Sequence, residues 1–264
     1  MKKIKTYFKV WRLNASNTIQ ELLVNRATHL LFFMGKMIKL SMSLLFLFLI
    51  KEQVAQFANY TTDQVIVFFL TYQFIDVLAQ VFFRGVYLFR DRIIRGNFDF
   101  MLLRPINPLF QALTDHPDIN DTIFLIPTTI LSIYIASTLN IHITINSLTL
   151  YFLLLINAFL IAAALHILVL VAGILTKDTE GFIWMYRDMI QFARFPVTVY
   201  LEPLRSILFF IIPVGMMITI PSEVLLNLKP TYSIGVAFAI GLGSIILSLR
   251  LWKWSLKKYS SASS

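Results

Sequence analysis

Long hydrophobic runs are the feature that most restricts how this chain can fold. Hydrophobic residues make up 58% of its 264 positions, and the mean hydropathy is +0.74. A bilayer core of about 30 Å needs about 20 apolar residues per helix, and the runs here reach that length between short charged segments. We therefore predict an all-α, polytopic membrane protein with six transmembrane helices, an N-terminal interfacial amphipathic helix, and a re-entrant segment as one option before the last helix.

The predicted elements form a single transmembrane domain over residues 1–264. Residues 1–27 combine basic residues with Trp and Leu at helical spacing, as an amphipathic helix in the membrane interface does. The predicted spans are 29–50, 64–88, 119–139, 147–175, a fifth within 180–226, and 231–251. The small residues Gly235, Ala239 and Gly243 let helices approach closely; we interpret them as packing within the subunit, with a dimer motif as the alternative.

Residues 177–205 allow two interpretations, because charged residues alternate with apolar ones there. The segment is either a cytoplasmic amphipathic helix followed by a span at 206–226, or itself a polar fifth span. In the second case, the proline-rich piece 196–226 is a re-entrant element on the outer side. Non-helical backbone at membrane depth requires burial in protein or contact with a water-filled cavity.

Basic residues are distributed unevenly between the two predicted sides. They concentrate in the N-terminal segment, residues 90–111, residues 177–205 and the C-terminus, whereas the predicted outer loops hold only Lys51 and Lys229. Lys and Arg in short loops mark the cytoplasmic side, so we expect cytoplasmic termini and a multi-pass protein of the cell membrane, in bacteria the plasma membrane. The net charge of +9 comes from basic residues beside the spans, where the anionic headgroups of the lipid bilayer attract them. It does not indicate a nucleic-acid partner.

The second predicted span carries a polar stripe. Gln73, Asp76, Gln80 and Arg84 are three or four residues apart and share one helix face. An intramembrane carboxylate is costly and should face the protein interior. Either the stripe lines a translocation path or a subunit seam, or Asp76 forms a structural ion pair with Lys39 or Lys36.

The sequence offers little for catalysis. Its four histidines lack metal-ligand spacing, and neither a GxSxG elbow nor a GxxxxGK[ST] phosphate loop is present. Cysteine is absent, which excludes thiolate chemistry. We predict no enzymatic activity and no cofactor in this chain, and we interpret His166 as a packing residue.

Residues 90–111, RDRIIRGNFDFMLLRPINPLFQ, form a cytoplasmic segment in which arginines flank an apolar cluster. Such a cluster at the inner face of a membrane indicates a docking surface for a cytoplasmic protein. The part RGNFDFMLLRPINPL resembles a cytoplasmic motif in one branch of the type 2, exporter-like ABC transporter permeases. The residues that carry the resemblance are Arg95, Gly96, Asp99, Leu102, Leu103, Arg104, Pro105, Pro108 and Leu109. A second segment, Phe195 to Pro213, is similar to the proline-spaced region of that branch, with Leu201 as a departure.

The resemblance implies one half of a membrane domain. It implies a second permease subunit, identical or related, and separate ATP-binding cassette ATPase subunits that bind ATP and Mg²⁺. Residues 90–111 would then hold a coupling helix. Phe98, Met101 and Leu102 would enter a cleft of the ATPase, and Arg92, Arg95 and Arg104 would pair with acidic groups or lipid headgroups.

By the same resemblance, the expected activity is export of a lipid-like, amphipathic or drug-like compound, driven by ATP hydrolysis in the partner subunit. The alternative is a proton-coupled secondary transporter that uses Asp76 and His166 without an ATPase.

Overall fold

The computed structural model describes residues 2–53, 56–57, 59–228 and 231–260, so Lys229 lies outside the described residues. The helices are α1 (Lys2–Val24), α2 (Arg26–Gln53), α3 (Thr62–Phe82), α4 (Gly85–Ile94), α5 (Asn97–Leu103), α6 (Pro108–Thr114), α7 (Ile119–Thr138), α8 (Ile145–Thr176), α9 (Glu180–Gln191), α10 (Leu204–Ser206), α11 (Ile220–Leu225) and α12 (Thr231–Lys258). Two short strands, β1 (Gln56–Phe57) and β2 (Tyr60–Thr61), pair antiparallel between α2 and α3. Two 3₁₀ turns follow α9, Phe192–Arg194 and Val197–Val199, and π-helical turns extend α10 through Ile207–Ile211 and precede α11 at Gly215–Thr219.

Among the residues that the structure describes, five helical stretches are long and apolar enough to cross a membrane. They are Arg26–Gln53, Thr62–Ile94, Ile119–Thr138, Ile145–Thr176 and Ser233–Lys258. A sixth candidate is the pair Leu204–Ile211 and Gly215–Leu225, bent by 75° at its break. The prediction of an all-α polytopic membrane protein is confirmed. The second span is longer than the predicted 64–88, because α4 continues α3 after a short break at 83–84.

Contacts between the connecting segments define two ends of the helix bundle. At the first, named here the basic end, α1 contacts the residues that follow α6, with a Glu21 carboxylate oxygen 3.1 Å from the Nε2 atom of His116. At the opposite end, Asp63 pairs with Lys51 and accepts a hydrogen bond from the backbone NH of Asn140 (3.4 Å).

The chain from α9 to the second 3₁₀ turn connects the two ends. At its start Glu180 pairs with Arg90 at the basic end (3.3 Å). At its finish Thr198 contacts the Tyr60 hydroxyl at the opposite end (2.7 Å). This geometry agrees with the second interpretation of residues 177–205, a polar fifth span.

Residues 199–228 start and finish at the opposite end. The bent pair lies between Thr198 and Asn227, whose side-chain amide donates to the carbonyl of His142 (2.9 Å) in the connection of α7 to α8. The turn preceding α11 is buried, and its Thr219 hydroxyl accepts the backbone NH of Val197 (3.0 Å). By length and composition the bent pair is either a broken span or a re-entrant loop, and the contacts of both its flanks at the opposite end favour the re-entrant loop.

Helices α8 and α12 approach closely in the core. Asn157 of α8 donates to the carbonyl of Ala237 (2.9 Å), and a Cβ on Gly241 would lie 2.0 Å from the Asn157 Oδ1 atom. Gly235 and Gly243 face open space instead. The prediction that these two glycines pack within the subunit is wrong, since α8 contacts a different face of α12.

Candidate functional site

The predicted coupling segment folds as a short helix, α5, between two turns. Gly96 has φ +70°, a left-handed conformation that suits glycine, and the first residue of α5 follows it. After Arg104 and Pro105 the chain turns again, and the Asn107 side chain accepts the backbone NH of Leu109 (2.8 Å) at the start of α6. The start of α5 is therefore set by the turn at Gly96, and its end by the turn that runs from Arg104 to Asn107.

One face of α5 is buried against the helices of the bundle. Phe98 is fully buried, with its ring 5.0 Å from that of Phe89, 5.0 Å from that of Tyr259, and 6.3 Å from that of Trp252. Met101 is buried as well. The expectation that Phe98 and Met101 enter a partner's cleft is therefore wrong for this conformation, because both side chains anchor α5 to the membrane domain.

The other face of α5 is apolar and exposed. The exposed fractions are 62% for Phe100, 38% for Leu102 and 82% for Leu103. Arg95 and Arg104, at the two ends of α5, are exposed too. This set, named here the α5 face, combines large apolar side chains with cations.

Internal bonds hold the remaining polar residues of the motif. Arg92 forms an ion pair with Asp115 (2.7 Å) within the same chain. The Gln111 side-chain amide donates to the carbonyls of Met101 and Ile106 (both 3.1 Å) and fixes the turn between α5 and α6. The Tyr7 hydroxyl of α1 accepts the backbone NH of Asn107 (3.2 Å). Arg92 was predicted to pair with an acidic group or a lipid headgroup, and in the structure its partner is Asp115 of its own chain.

The end of α12 also contacts α5. Tyr259 packs on Phe98; its burial, and secondly the adjacent Asp99 carboxylate, raise the pKa of Tyr259 to about 12. The C-terminal end of α12 and the coupling segment are therefore packed against each other.

A second group of chemically distinctive residues lies within the spans. Asp76 on α3 forms an ion pair with Arg187 on α9, and both side chains are largely buried, at 6% and 15% exposed. Gln80 donates to the other Asp76 carboxylate oxygen (3.1 Å). Asp76 is thus paired with Arg187, not with Lys39, because α9 packs beside α3 and places Arg187 within reach of Asp76.

Lys36 pairs with Asp121 of α7, whose carboxylate is fully buried. Lys36 therefore also has a partner other than Asp76. Among the described residues, neither Lys39 nor Arg194 has a carboxylate oxygen within 4 Å. The Arg194 guanidinium lies 5.5 Å from the centre of the Tyr72 ring.

These groups surround one cavity of about 60 Å³, enough for a few water molecules. Its polar lining residues are Lys36, Lys39, Ser43, Tyr72, Gln73, Asp76, Gln80, Asp121, Arg187 and Arg194. The structure brings together Lys39, Gln73, Asp76 and Gln80, the residues that the sequence proposed for a path or an ion pair. It adds Arg187, Arg194 and Asp121, which the sequence analysis did not select.

His166 is packed inside the bundle. Its Nδ1 atom lies 2.7 Å from the carbonyl oxygen of Ala162, and its ring lies between those of Phe83 and Tyr186. Within the described ranges, no group of three His, Asp or Glu residues could hold a metal ion.

The sequence matches the family model described as "ABC-2 family transporter protein" over residues 37–263. The match covers α5, the cavity residues from Lys39 onward and the re-entrant segment. Comparisons with curated proteins and with solved structures find no match. With a match over more than half of its length, the chain belongs to the ABC-2 transporter family, as a multi-pass membrane transport subunit.

Proposed function

We propose that this chain is the permease subunit of an ATP-driven exporter, and that the α5 face binds an ATP-binding cassette ATPase encoded separately. The ATPase would bind ATP and Mg²⁺, and a second permease, a copy or a relative, would complete the membrane domain. In this proposal the basic end is cytoplasmic, both termini included, and the membrane is the bacterial plasma membrane. The proposed cargo is a lipid-like, amphipathic or drug-like compound.

The observation that carries the proposal is the division of α5 into two faces. Phe98 and Met101 fasten the helix to the core, whereas Phe100 and Leu103 project from it without cover. Large apolar side chains flanked by arginines are typical of the energetically dominant part of a protein interface. The α5 face therefore has the chemistry of a docking surface on a rigid support.

The connections of α5 explain how a bound ATPase could move the spans. The segment follows α4, which continues the second span, and Phe98 contacts Trp252 and Tyr259 at the end of the last one. A displacement of α5 would reach both spans through packed side chains. Rigid-body transfer of this kind is a known form of coupled conformational change.

The test is co-purification with the ATPase encoded nearest to the gene. The wild type should retain the ATPase in detergent, and the Phe100→Asp/Leu103→Asp variant should lose it. Leu201→Asp is the matched control, because Leu201 is 85% exposed but lies at the opposite end. Loss of the ATPase from the Leu201→Asp variant, or its retention by the α5 variant, would contradict the proposal.

A further inference from the structure

The interior cavity holds more positive than negative charge. Four cations line it, Lys36, Lys39, Arg187 and Arg194, against the two carboxylates Asp76 and Asp121. Each carboxylate is paired with a different cation. Two positive charges, Lys39 and Arg194, thus remain without a carboxylate within 4 Å in the described part of the chain.

This surplus lies within the membrane-spanning bundle. Lys39 is in the middle of α2, and Arg194 follows α9 on the fifth crossing. Ionised groups at such depth are costly, and those retained commonly mark the route of a substrate or an ion. The Nε atom of Arg194 is buried and has no hydrogen-bond acceptor among the described protein atoms. An anion in the cavity would supply that acceptor and the missing charge.

An apolar groove adjoins the cavity. It is open to the surroundings, holds about 460 Å³ beside one face of α2, and is lined by residues of that helix alone, Thr28, Leu31, Phe32, Gly35, Lys36 and Lys39. Lys36 and Lys39 line both the groove and the cavity. The stretch from Thr28 to Gly35 is about 10 Å long at 1.5 Å per residue, the length of a hydrocarbon chain of eight to ten carbons.

Charge complementarity and shape together identify the occupant. We propose that the cavity and groove bind an amphipathic phosphate monoester, with the phosphate at Lys39 and Arg194 and the hydrocarbon tail in the groove. A phosphate monoester carries a charge of about −1.5 to −2 near pH 7, which matches the two unpaired cations. Arg and Lys are the side chains that bind phosphate through charge-assisted hydrogen bonds. This inference rests on the proposed transport function, whose cargo class it narrows.

Equilibrium binding of radiolabelled decyl phosphate to the full chain in phosphatidylcholine nanodiscs tests the headgroup site. The wild type should bind the probe saturably. Lys39→Met and Arg194→Met should each weaken binding about tenfold, the usual effect of losing one charged hydrogen bond. Lys253→Met, near the end of α12, is the charge-matched control and should bind like the wild type. Absent or non-saturable binding, or equal affinities for Lys39→Met and Lys253→Met, would overturn the proposal.

Competitors separate the possible ligands. Excess unlabelled decyl phosphate should displace the probe, whereas inorganic phosphate should compete weakly, because it lacks the tail. Decyltrimethylammonium, with the same tail and the opposite charge, should not compete. Equal competition by inorganic phosphate would overturn the role of the groove, and competition by the cation would overturn the charge argument.

Glycine substitutions test the groove itself. A Cβ on Gly35 and one on Gly243 would both meet open space, so neither substitution should disturb the packing within the chain. Gly35→Phe should abolish tail binding by filling the groove, and Gly243→Phe should not. The oligomeric size of Gly35→Phe should be that of the wild type. A smaller assembly would identify the α2 face as a seam between copies and overturn the proposal.

The binding assay needs no ATPase, so the two proposals fail independently. Loss of decyl phosphate binding leaves the docking function of α5 untouched. Loss of ATPase co-purification leaves the anion site untouched.

Discussion

Asp76 of α3 and Arg187 of α9 form a buried ion pair, although the two residues are 111 positions apart in the sequence. Gln80, one turn further along α3, also bonds to Asp76. The pair explains how a segment as polar as α9 can lie inside the bundle, because its buried guanidinium meets a carboxylate there. Pairing of this kind is the usual condition for a buried charge.

Asp76→Asn should destabilise the folded chain by about 3 kcal/mol, because it leaves the Arg187 charge without its counter-ion. The double variant Asp76→Asn/Arg187→Met should recover most of that loss, because it no longer holds an unpaired buried charge. Denaturant unfolding of the four proteins of this cycle in detergent gives the coupling free energy. The same cycle with Lys39→Met should give additive losses; strong coupling of Lys39 and little of Arg187 would contradict the pairing found here.

Phe98→Ala should destabilise the chain by about 3 to 5 kcal/mol, the range for a buried aromatic side chain. Leu103→Ala should change the free energy of unfolding by less than about 0.5 kcal/mol, because Leu103 is largely exposed. Thermal unfolding of both variants without the ATPase measures the difference. Comparable losses in the two variants would mean that α5 does not have one anchored and one free face.

Single cysteines can test the topology, because the chain has none of its own. Leu201→Cys and Leu228→Cys lie on the two sides of the re-entrant segment and at the same end of the bundle. Both should react with a membrane-impermeant maleimide in intact cells, and Leu103→Cys should react only after the cells are opened. Protection of either Leu201→Cys or Leu228→Cys in intact cells would mean that residues 204–225 cross the membrane.

The wild type should lose stability at high pH as Tyr259 ionises, and the Tyr259→Phe variant should lose less. The pKa of Tyr259 is raised from about 10 in the unfolded chain to about 12. The folded state holds this proton more tightly than the unfolded chain does. The stability that the protonated Tyr259 adds is therefore complete below about pH 10 and disappears as the pH rises to about 12. The measurement is the melting temperature of wild type and variant against pH. Parallel curves above about pH 10 would contradict a role for the Tyr259 hydroxyl beside Asp99.

Much of this architecture could be predicted from local sequence. Apolar run length indicates the spans, and Gly96, Pro105 and Pro108 indicate the boundaries of the coupling helix, because each acts on its own stretch of backbone. Which face of α5 would be buried could not be predicted. Phe98 and Phe100 have the same side chain, and the contacts that distinguish Phe98 include those with Trp252 and Tyr259, more than 150 residues away.

The partner of Asp76 was inaccessible from sequence for a similar reason. Lys39 was the obvious candidate while residues 177–205 could still be a cytoplasmic helix. The helical spacing of Ile183, Tyr186, Arg187 and Ile190, which places Arg187 on the same face as three apolar residues, is a signal that could have indicated a buried polar helix. Choosing between the two required contacts at both its ends, such as those of Glu180 and Thr198.

Cross-linking from the α5 face tests the central claim most directly. Leu103→Cys, carrying a photoactivatable maleimide and reconstituted with the ATPase encoded nearest to the gene, should form a covalent adduct with that ATPase. Leu201→Cys is equally exposed but lies at the opposite end, and it should form none. An adduct from Leu103→Cys alone is the predicted result; no adduct from Leu103→Cys, or equal adducts from both positions, would contradict ATPase docking at α5.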